Sequence, residues 1–233
     1  MLELHAVAAG YGETLVLRDV SISVPDASVV ALLGPNGAGK TTTLRTACGL
    51  LRPKRGRVLL DGEDVTGEKP YALVRRGLCH LPEGHGIFPS LTVKENIVLQ
   101  APKGRERACL EEAGERFPVL ATRLAQQAGS LSGGEQQMLA LLRAFNTNPK
   151  IVVVDEASLG LSPVVVDQVF EALSQIVARG ASLLIVEQYV TRVLEMADSA
   201  YVMSRGQVVF SGTAAELREV DVFERYLGIE VGP

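Results

Sequence analysis

The chain has 233 residues, 47% of them hydrophobic, with 23 Lys and Arg against 27 Asp and Glu. That length can bury a core in one large domain, or in one domain with an inserted lobe. A net charge of −4 excludes the basic footprint of a nucleic-acid binder.

The first residues, Met1-Leu2-Glu3-Leu4-His5, lack the basic start and apolar run of a signal peptide. No stretch reaches the roughly 18 apolar residues of a membrane helix, so work at a membrane is expected to run through a partner. Leu2 and Leu4, then Val20, Ile22 and Val24, alternate with polar residues as half-buried strands do. Residues 29–33 form a short apolar run that ends in glycine-rich residues 34–37, a buried strand entering a turn. A helix is expected over 41–48 with Gly49 as its stop, then a strand over 57–60 entering a tight turn at Asp61-Gly62.

A short helix over 71–76 and a strand over 78–82 lead into a loop at 83–90. Residues 91–127 read as mainly helical, broken at Pro102, Gly104 and Pro118, and are the candidate inserted lobe. A helix follows over 132–145, then a buried strand over 151–154. Ser162 and Pro163 open a long helix as cap and first turn, and Gly180 closes it. One more apolar strand at 183–186, a hairpin around Arg205-Gly206 and short terminal helices complete an α/β pattern with helices on both sheet faces. Cys48, Cys79 and Cys109 are scattered without a CxxC pattern, and only His80 and His85 fall near each other. Disulfides and a zinc site are therefore not expected, and the thiols read as small buried groups.

Three segments carry chemistry. Gly34-Pro35-Asn36-Gly37-Ala38-Gly39-Lys40-Thr41 fits G-x-x-x-x-G-K-[ST] between a strand and a helix. Its glycines let backbone N–H groups turn inward on phosphate oxygens, and the helix start adds its positive end. Lys40 can reach the β- and γ-phosphates, and the Thr41 hydroxyl can ligate Mg²⁺. A plain glycine turn capping a helix explains less, because a lysine in the first turn opposes the helix dipole. No Asp or Glu falls between residues 27 and 60 to balance it. The second segment, the apolar run 151–154 ending in Asp155-Glu156, presents two carboxylates at a strand's C-terminal end, where α/β sheets bind ligands. Asp155 is suited to Mg²⁺ through water, and Glu156 to orienting or deprotonating an attacking water.

The third is Leu131-Ser132-Gly133-Gly134-Glu135-Gln136. Ser132 and Glu135 make a capping box. Two glycines at a helix start cost up to ~1 kcal/mol each, which makes sense where a ligand nears the backbone. With one phosphate loop already present, this turn is expected to serve a second ATP, on another chain.

With LSGG between a phosphate loop and a strand ending in Asp-Glu, the chain resembles the ATP-binding cassette (ABC) family over essentially its whole length. The resemblance implies a phosphate-loop NTPase α/β fold with an antiparallel β subdomain and an inserted helical subdomain. The core would be residues 1–87 and 146–233, the helical lobe 88–145. It implies two ATPs between two head-to-tail subunits, each touching one chain's phosphate loop, including Thr42, and the other's LSGG turn. Tyr11 matches the aromatic that stacks on adenine, and Val16 would line the same pocket. Glu83 stands where the family usually has a glutamine that touches Mg²⁺ and senses the γ-phosphate. Gln188 stands for a histidine on that phosphate, and Ser162 for an aspartate.

Leu81-Pro82-Glu83-Gly84, residues 88–96, residues 158–163 and Val186-Glu187-Gln188 are similar to the branched-chain amino-acid importers, in particular their LivF-type ATPase. That likeness implies a second ATPase subunit, identical or different, two transmembrane permeases, an extracytoplasmic binding protein, and a peripheral place on the cytoplasmic face of the membrane. A cytoplasmic permease helix would enter a groove lined by residues 84–96. Importers of urea, amides or other amino acids are the alternative. Two further readings are a cassette ATPase of DNA repair or the ribosome, which would carry long coiled-coil insertions or two cassettes in one chain and a basic surface, and an ATP-dependent switch with weak hydrolysis, motivated by Glu83, Gln188 and Ser162.

Overall fold

The computed structural model describes residues 1–84 and 86–219, so His85 and the chain beyond 219 lie outside it. Alternation in the first strands builds a sheet with one buried face. β1 (Leu2–Tyr11) pairs antiparallel with β2 (Thr14–Val24), and leucines and valines face inward on both. β3 (Val29–Leu33) leaves for a second sheet, while β4 (Arg55–Leu60) and β5 (Glu63–Asp64) complete the first in the order β2-β1-β4-β5.

The second sheet adds β6 (Leu78–Leu81), β7 (Ile151–Asp155), β8 (Ser182–Val186), β9 (Ser199–Ser204) and β10 (Gln207–Thr213) to β3. Its order is β10-β9-β3-β8-β7-β6, parallel except for the β9–β10 hairpin. Every residue of β3, β7 and β8 is buried, as expected for parallel strands covered on both faces.

Nine α-helices lie among the described residues: α1 (Lys40–Ala47), α2 (Pro70–Arg75), α3 (Val93–Gln100), α4 (Glu106–Arg116), α5 (Pro118–Ala121), α6 (Gly133–Thr147), α7 (Pro163–Ala178), α8 (Val190–Met196) and α9 (Ala214–Leu217). On one face of the second sheet, Leu81, Val152, Val154 and Ile185 pack with Phe145, Val169 and Leu173 of α6 and α7. On the other, Val30, Leu32 and Val153 pack with Leu44 of α1 and with Leu4, Leu17 and Val58 of the antiparallel sheet. Helices thus reach both faces, but one face is shared with β-structure. A third core joins Ile97, Cys109, Leu120, Leu131 and Leu139.

Details differ from the sequence reading for local reasons. Pro118 starts α5 at its first turn instead of only breaking a helix, where its missing N–H costs nothing. Ser162 occupies the cap position of α7, but its side chain makes no capping hydrogen bond. Of the expected terminal helices only α9 is described. The three cysteines are free and buried. No helix among the described residues is long and apolar enough to cross a membrane.

Candidate functional site

The phosphate loop runs from the end of β3 to α1, with Gly39 as the helix cap in a left-handed conformation. Gly34 has φ +143°, and a Cβ there would fall 2.2 Å from the Met203 carbonyl oxygen, so no side chain fits between the loop and β9. Gly206, in the β9–β10 turn, buttresses the loop. Its N–H donates to Ala38 O at 2.9 Å, and its carbonyl accepts the Arg18 N–H at 2.8 Å. The Lys40 ammonium donates to Gly34 O at 2.8 Å and Pro35 O at 3.2 Å. Burial lowers the Lys40 pKa, and the Glu156 and Asp155 charges oppose that shift.

Parallel pairing of β3 and β7 with β8 brings the loop and the acids to one sheet edge. The Thr41 hydroxyl lies 3.4 Å from Asp155 Oδ1 as its donor. The Asp155 pKa is pushed up to about 6, first by burial, then by the charges of Glu156 and Glu83. Glu156 follows with a positive φ of 48°, unusual for a residue other than glycine. Its N–H donates to Val186 O at 2.8 Å, and its Oε2 accepts the Gln188 amide at 3.4 Å. Glu83, Glu156 and Gln137 share one cavity of about 300 Å³, so the loop after β6 meets the end of β7.

Two side chains here were given no role from the sequence. Gln137, buried in α6, joins the cleft. Glu187 is 4% exposed and accepts the backbone N–H of Ser158 at 2.9 Å and also its hydroxyl. Burial raises the Glu187 pKa, while donors from Ser158 and the Gln188 N–H pull it down. An acid directly after a buried apolar strand was the only available signal.

Tyr11 is 46% exposed, and Arg45 of α1 donates to its hydroxyl at 3.2 Å. Val16, half-buried, packs on the core between the two sheets. Thr42, in the first turn of α1, is buried.

The LSGG turn stands on the third core through Leu131. Ser132 Oγ accepts the Glu135 N–H at 3.3 Å, and Glu135 accepts the Ser132 N–H at 2.9 Å. The capping box read from Ser132 and Glu135 is therefore formed, and it takes up the N–H groups of both residues. Arg123 pairs with Glu135 at 3.2 Å. The glycines also differ from each other. A Cβ on Gly134 would lie 2.9 Å from Val165 Cγ2, so packing on α7 demands that glycine, whereas Gly133 has space, its nearest neighbour being Leu161 at 3.7 Å.

One cavity lies beside the 84–96 segment expected to line a permease groove. Its volume is about 380 Å³, and it is lined by Leu50, Val74, His80, Phe88, Leu99 and Gln100, among others. Phe88 is the one residue of the 84–96 segment in the described lining of this cavity, while Gly84 lines the cleft of Glu83 and Glu156.

A lysine-bearing glycine loop at a helix start, facing a strand-end acid pair on a parallel sheet, defines a phosphate-loop nucleotide-binding ATPase. Comparison with known proteins narrows this class. Residues 17–159 match the ABC transporter family. The chain is 39% identical to the high-affinity branched-chain amino acid transport ATP-binding protein BraG of Pseudomonas aeruginosa, over 98% of this chain and 100% of that one. It is 36% identical to the probable branched-chain amino acid transport ATP-binding protein LivF of Archaeoglobus fulgidus, over 97% of each. It is 34% identical to the lipopolysaccharide export system ATP-binding protein LptB of Haemophilus influenzae, over 98% and 97%. A solved nucleotide-free ATP-binding cassette from an ABC transporter superposes with a TM-score of 0.84 at 28% identity, covering 98% of this chain and 99% of that one. The chain belongs to the ABC transporter family, as an ATP-binding, ATP-hydrolysing subunit.

Proposed function

We propose that this subunit powers an importer of branched-chain amino acids, working as half of an ATP-bound dimer. The observation that carries the catalytic part is the convergence of Thr41, Asp155, Glu156 and Gln188 at one sheet edge. The substrate class rests on the likeness to BraG and LivF across nearly the full chain.

In this reading Gly34, Pro35, Asn36, Gly37, Ala38 and Gly39 offer backbone N–H groups to the phosphates, with Thr41 and Thr42 at the helix start. Lys40 exchanges its loop carbonyls for phosphate oxygens, which needs only a side-chain rotation. Tyr11 stacks on adenine beside Val16. Glu156 orients and deprotonates the attacking water, and Gln188 donates to the γ-phosphate, since an amide can donate without carrying a proton.

Thr41 and Asp155 fit Mg²⁺, with Glu83 nearby. The donors are hard oxygens, and the carboxylate charges that crowd Asp155 would be relieved by a cation. Among the described residues no three of His, Cys, Asp and Glu form a protein-only metal site, which suits an ion that keeps waters and takes phosphate oxygens. When bound, Mg²⁺ neutralises charge on the transferring phosphoryl group.

Leu131, Ser132, Gly133, Gly134 and Glu135 would close on the ATP held by the partner ATPase, identical or different. The groove at Leu50, Val74, Phe88 and Leu99 would receive a helix of one of two permeases at the cytoplasmic face of the membrane, fed by an extracytoplasmic binding protein. Exposed Leu50, Val74, Phe88 and Leu99 support a buried apolar contact there.

The test is ATP-driven uptake in vesicles holding the full complex. Leucine, isoleucine or valine should be taken up, and Glu156→Gln should abolish uptake and phosphate release while ATP still binds. ATP-dependent closure without phosphate release in the parent complex would favour the switch reading instead. The likeness to LptB favours a second reading, an export subunit, which gains if the complex moves no amino acid.

A further inference from the structure

Three consecutive residues at the end of β8 each grip the segment that follows β7. The Val186 carbonyl accepts the Glu156 N–H, the Glu187 carboxylate accepts both donors of Ser158, and the Gln188 amide donates to Glu156. The middle grip is the unusual one. A carboxylate 4% exposed is costly, and here its described hydrogen-bond partners are neutral donors, the Ser158 N–H and the Ser158 hydroxyl. An apolar residue would fill a strand end more cheaply. The same carboxylate thus ties the loop that carries Glu156, through Ser158, to the strand end that continues directly into Gln188. Glu156 also needs holding. Its left-handed backbone is strained for an L-residue and persists only where neighbours enforce it.

We infer that Glu187 is a positioning residue that ties Ser158 to the end of β8 and so sets the distance between the Glu156 carboxylate and the Gln188 amide. The inference rests on the roles given above to Glu156 and Gln188. Glu187 touches neither nucleotide nor water in this account. It acts through its two neighbours, and an amide in its place would turn an N–H₂ group toward donors.

A double-mutant cycle on ATP turnover tests this, in the full chain within its transporter complex. Glu187→Gln should lower kcat by about tenfold to a hundredfold with KM for ATP within about twofold, as expected for a small misplacement of reacting groups. Gln188→Ala should lower kcat on its own. In the double variant the combined loss should fall short of the product of the single losses by about threefold or more, because both changes break one contact. A combined loss equal to the product within about threefold, or an unchanged kcat for Glu187→Gln, would overturn the inference. An unchanged kcat for Gln188→Ala alone would instead remove the role of Gln188, and the positioning role falls with it. If Glu187→Gln does not fold, Ser158→Ala, which deletes one donor and keeps the carboxylate, enters the same cycle with the same outcomes.

Discussion

The Thr41 hydroxyl donates to Asp155 Oδ1 at 3.4 Å, joining the first turn of α1 to the last residue of β7. Burial, then the Glu156 and Glu83 charges, push the Asp155 carboxyl up to about 6. Between its unfolded value near 4 and about 6, the folded chain keeps a proton that the unfolded chain has lost. Stability therefore falls as pH rises through that window, and the penalty is complete above it. Asp155→Asn should raise the unfolding free energy at pH 7.5 by about 1–2 kcal/mol, allowing for solvent screening, and change it little near pH 4. Urea unfolding of the nucleotide-free chain at both pH values measures this. A variant no more stable than the parent at pH 7.5 contradicts the penalty.

Gly133 and Gly134 separate packing from ligand contact. Gly134→Ala places a methyl against Val165 and should destabilise the chain by about 1–2 kcal/mol, with Val165→Ala restoring most of the loss. Gly133→Ala meets only an ordinary contact with Leu161 and should leave stability unchanged or raised by up to ~1 kcal/mol through helix propensity. If the LSGG turn closes on a partner's ATP, Gly133→Ala should nevertheless lower turnover sharply. Full turnover in that variant would argue against the close approach.

These two glycines also mark how far the sequence could be read. Residues 34–41 and 151–156 were legible because their chemistry is local: a glycine loop beside a lysine, and four apolar residues before two acids. The capping box at Ser132 and Glu135 was legible for the same reason. Val165 beneath Gly134 lies a helix away in the chain, and Ser158 meets Glu187 across 29 residues. The first pair depends on α6 packing against α7 and the second on β7 lying beside β8, which no local pattern states. The walls of the cavity at Phe88 are non-local likewise. They come from α2, β6 and the end of α3 as much as from the loop at Phe88. The antiparallel sheet that shares a face with α1 entered only through family resemblance.

Arg45 and Tyr11 give a test of the adenine site. The Arg45 guanidinium holds the Tyr11 hydroxyl at 3.2 Å, so the ring is tethered from its far end. Stacking needs the ring and not the hydroxyl. Tyr11→Phe should keep ATP affinity within about twofold, whereas Tyr11→Ala should weaken it by about tenfold or more, as loss of one base-stacking contact does. Equilibrium binding of a fluorescent ATP analogue reads both. Equal affinity in parent and Tyr11→Ala would remove Tyr11 from the site.

His80 lines the cavity at Phe88, and its Nε2 is buried without a hydrogen-bond partner among the described residues. Burial, then the Arg143 and Arg45 charges, push its pKa down to about 4. As pH falls below about 6.5 the unfolded chain takes up a proton that the folded chain refuses until about pH 4. Stability is therefore undiminished above that window and is lost as pH falls through it, by about 2 kcal/mol at pH 5. His80→Leu removes both the titration and the unpaired nitrogen. It should be at least as stable as the parent at pH 7.5, and its advantage should widen by about 2 kcal/mol at pH 5. Urea unfolding across that range decides the point, since a gap that stays constant from pH 7.5 to 5 means that folded His80 accepts its proton as readily as the unfolded chain does.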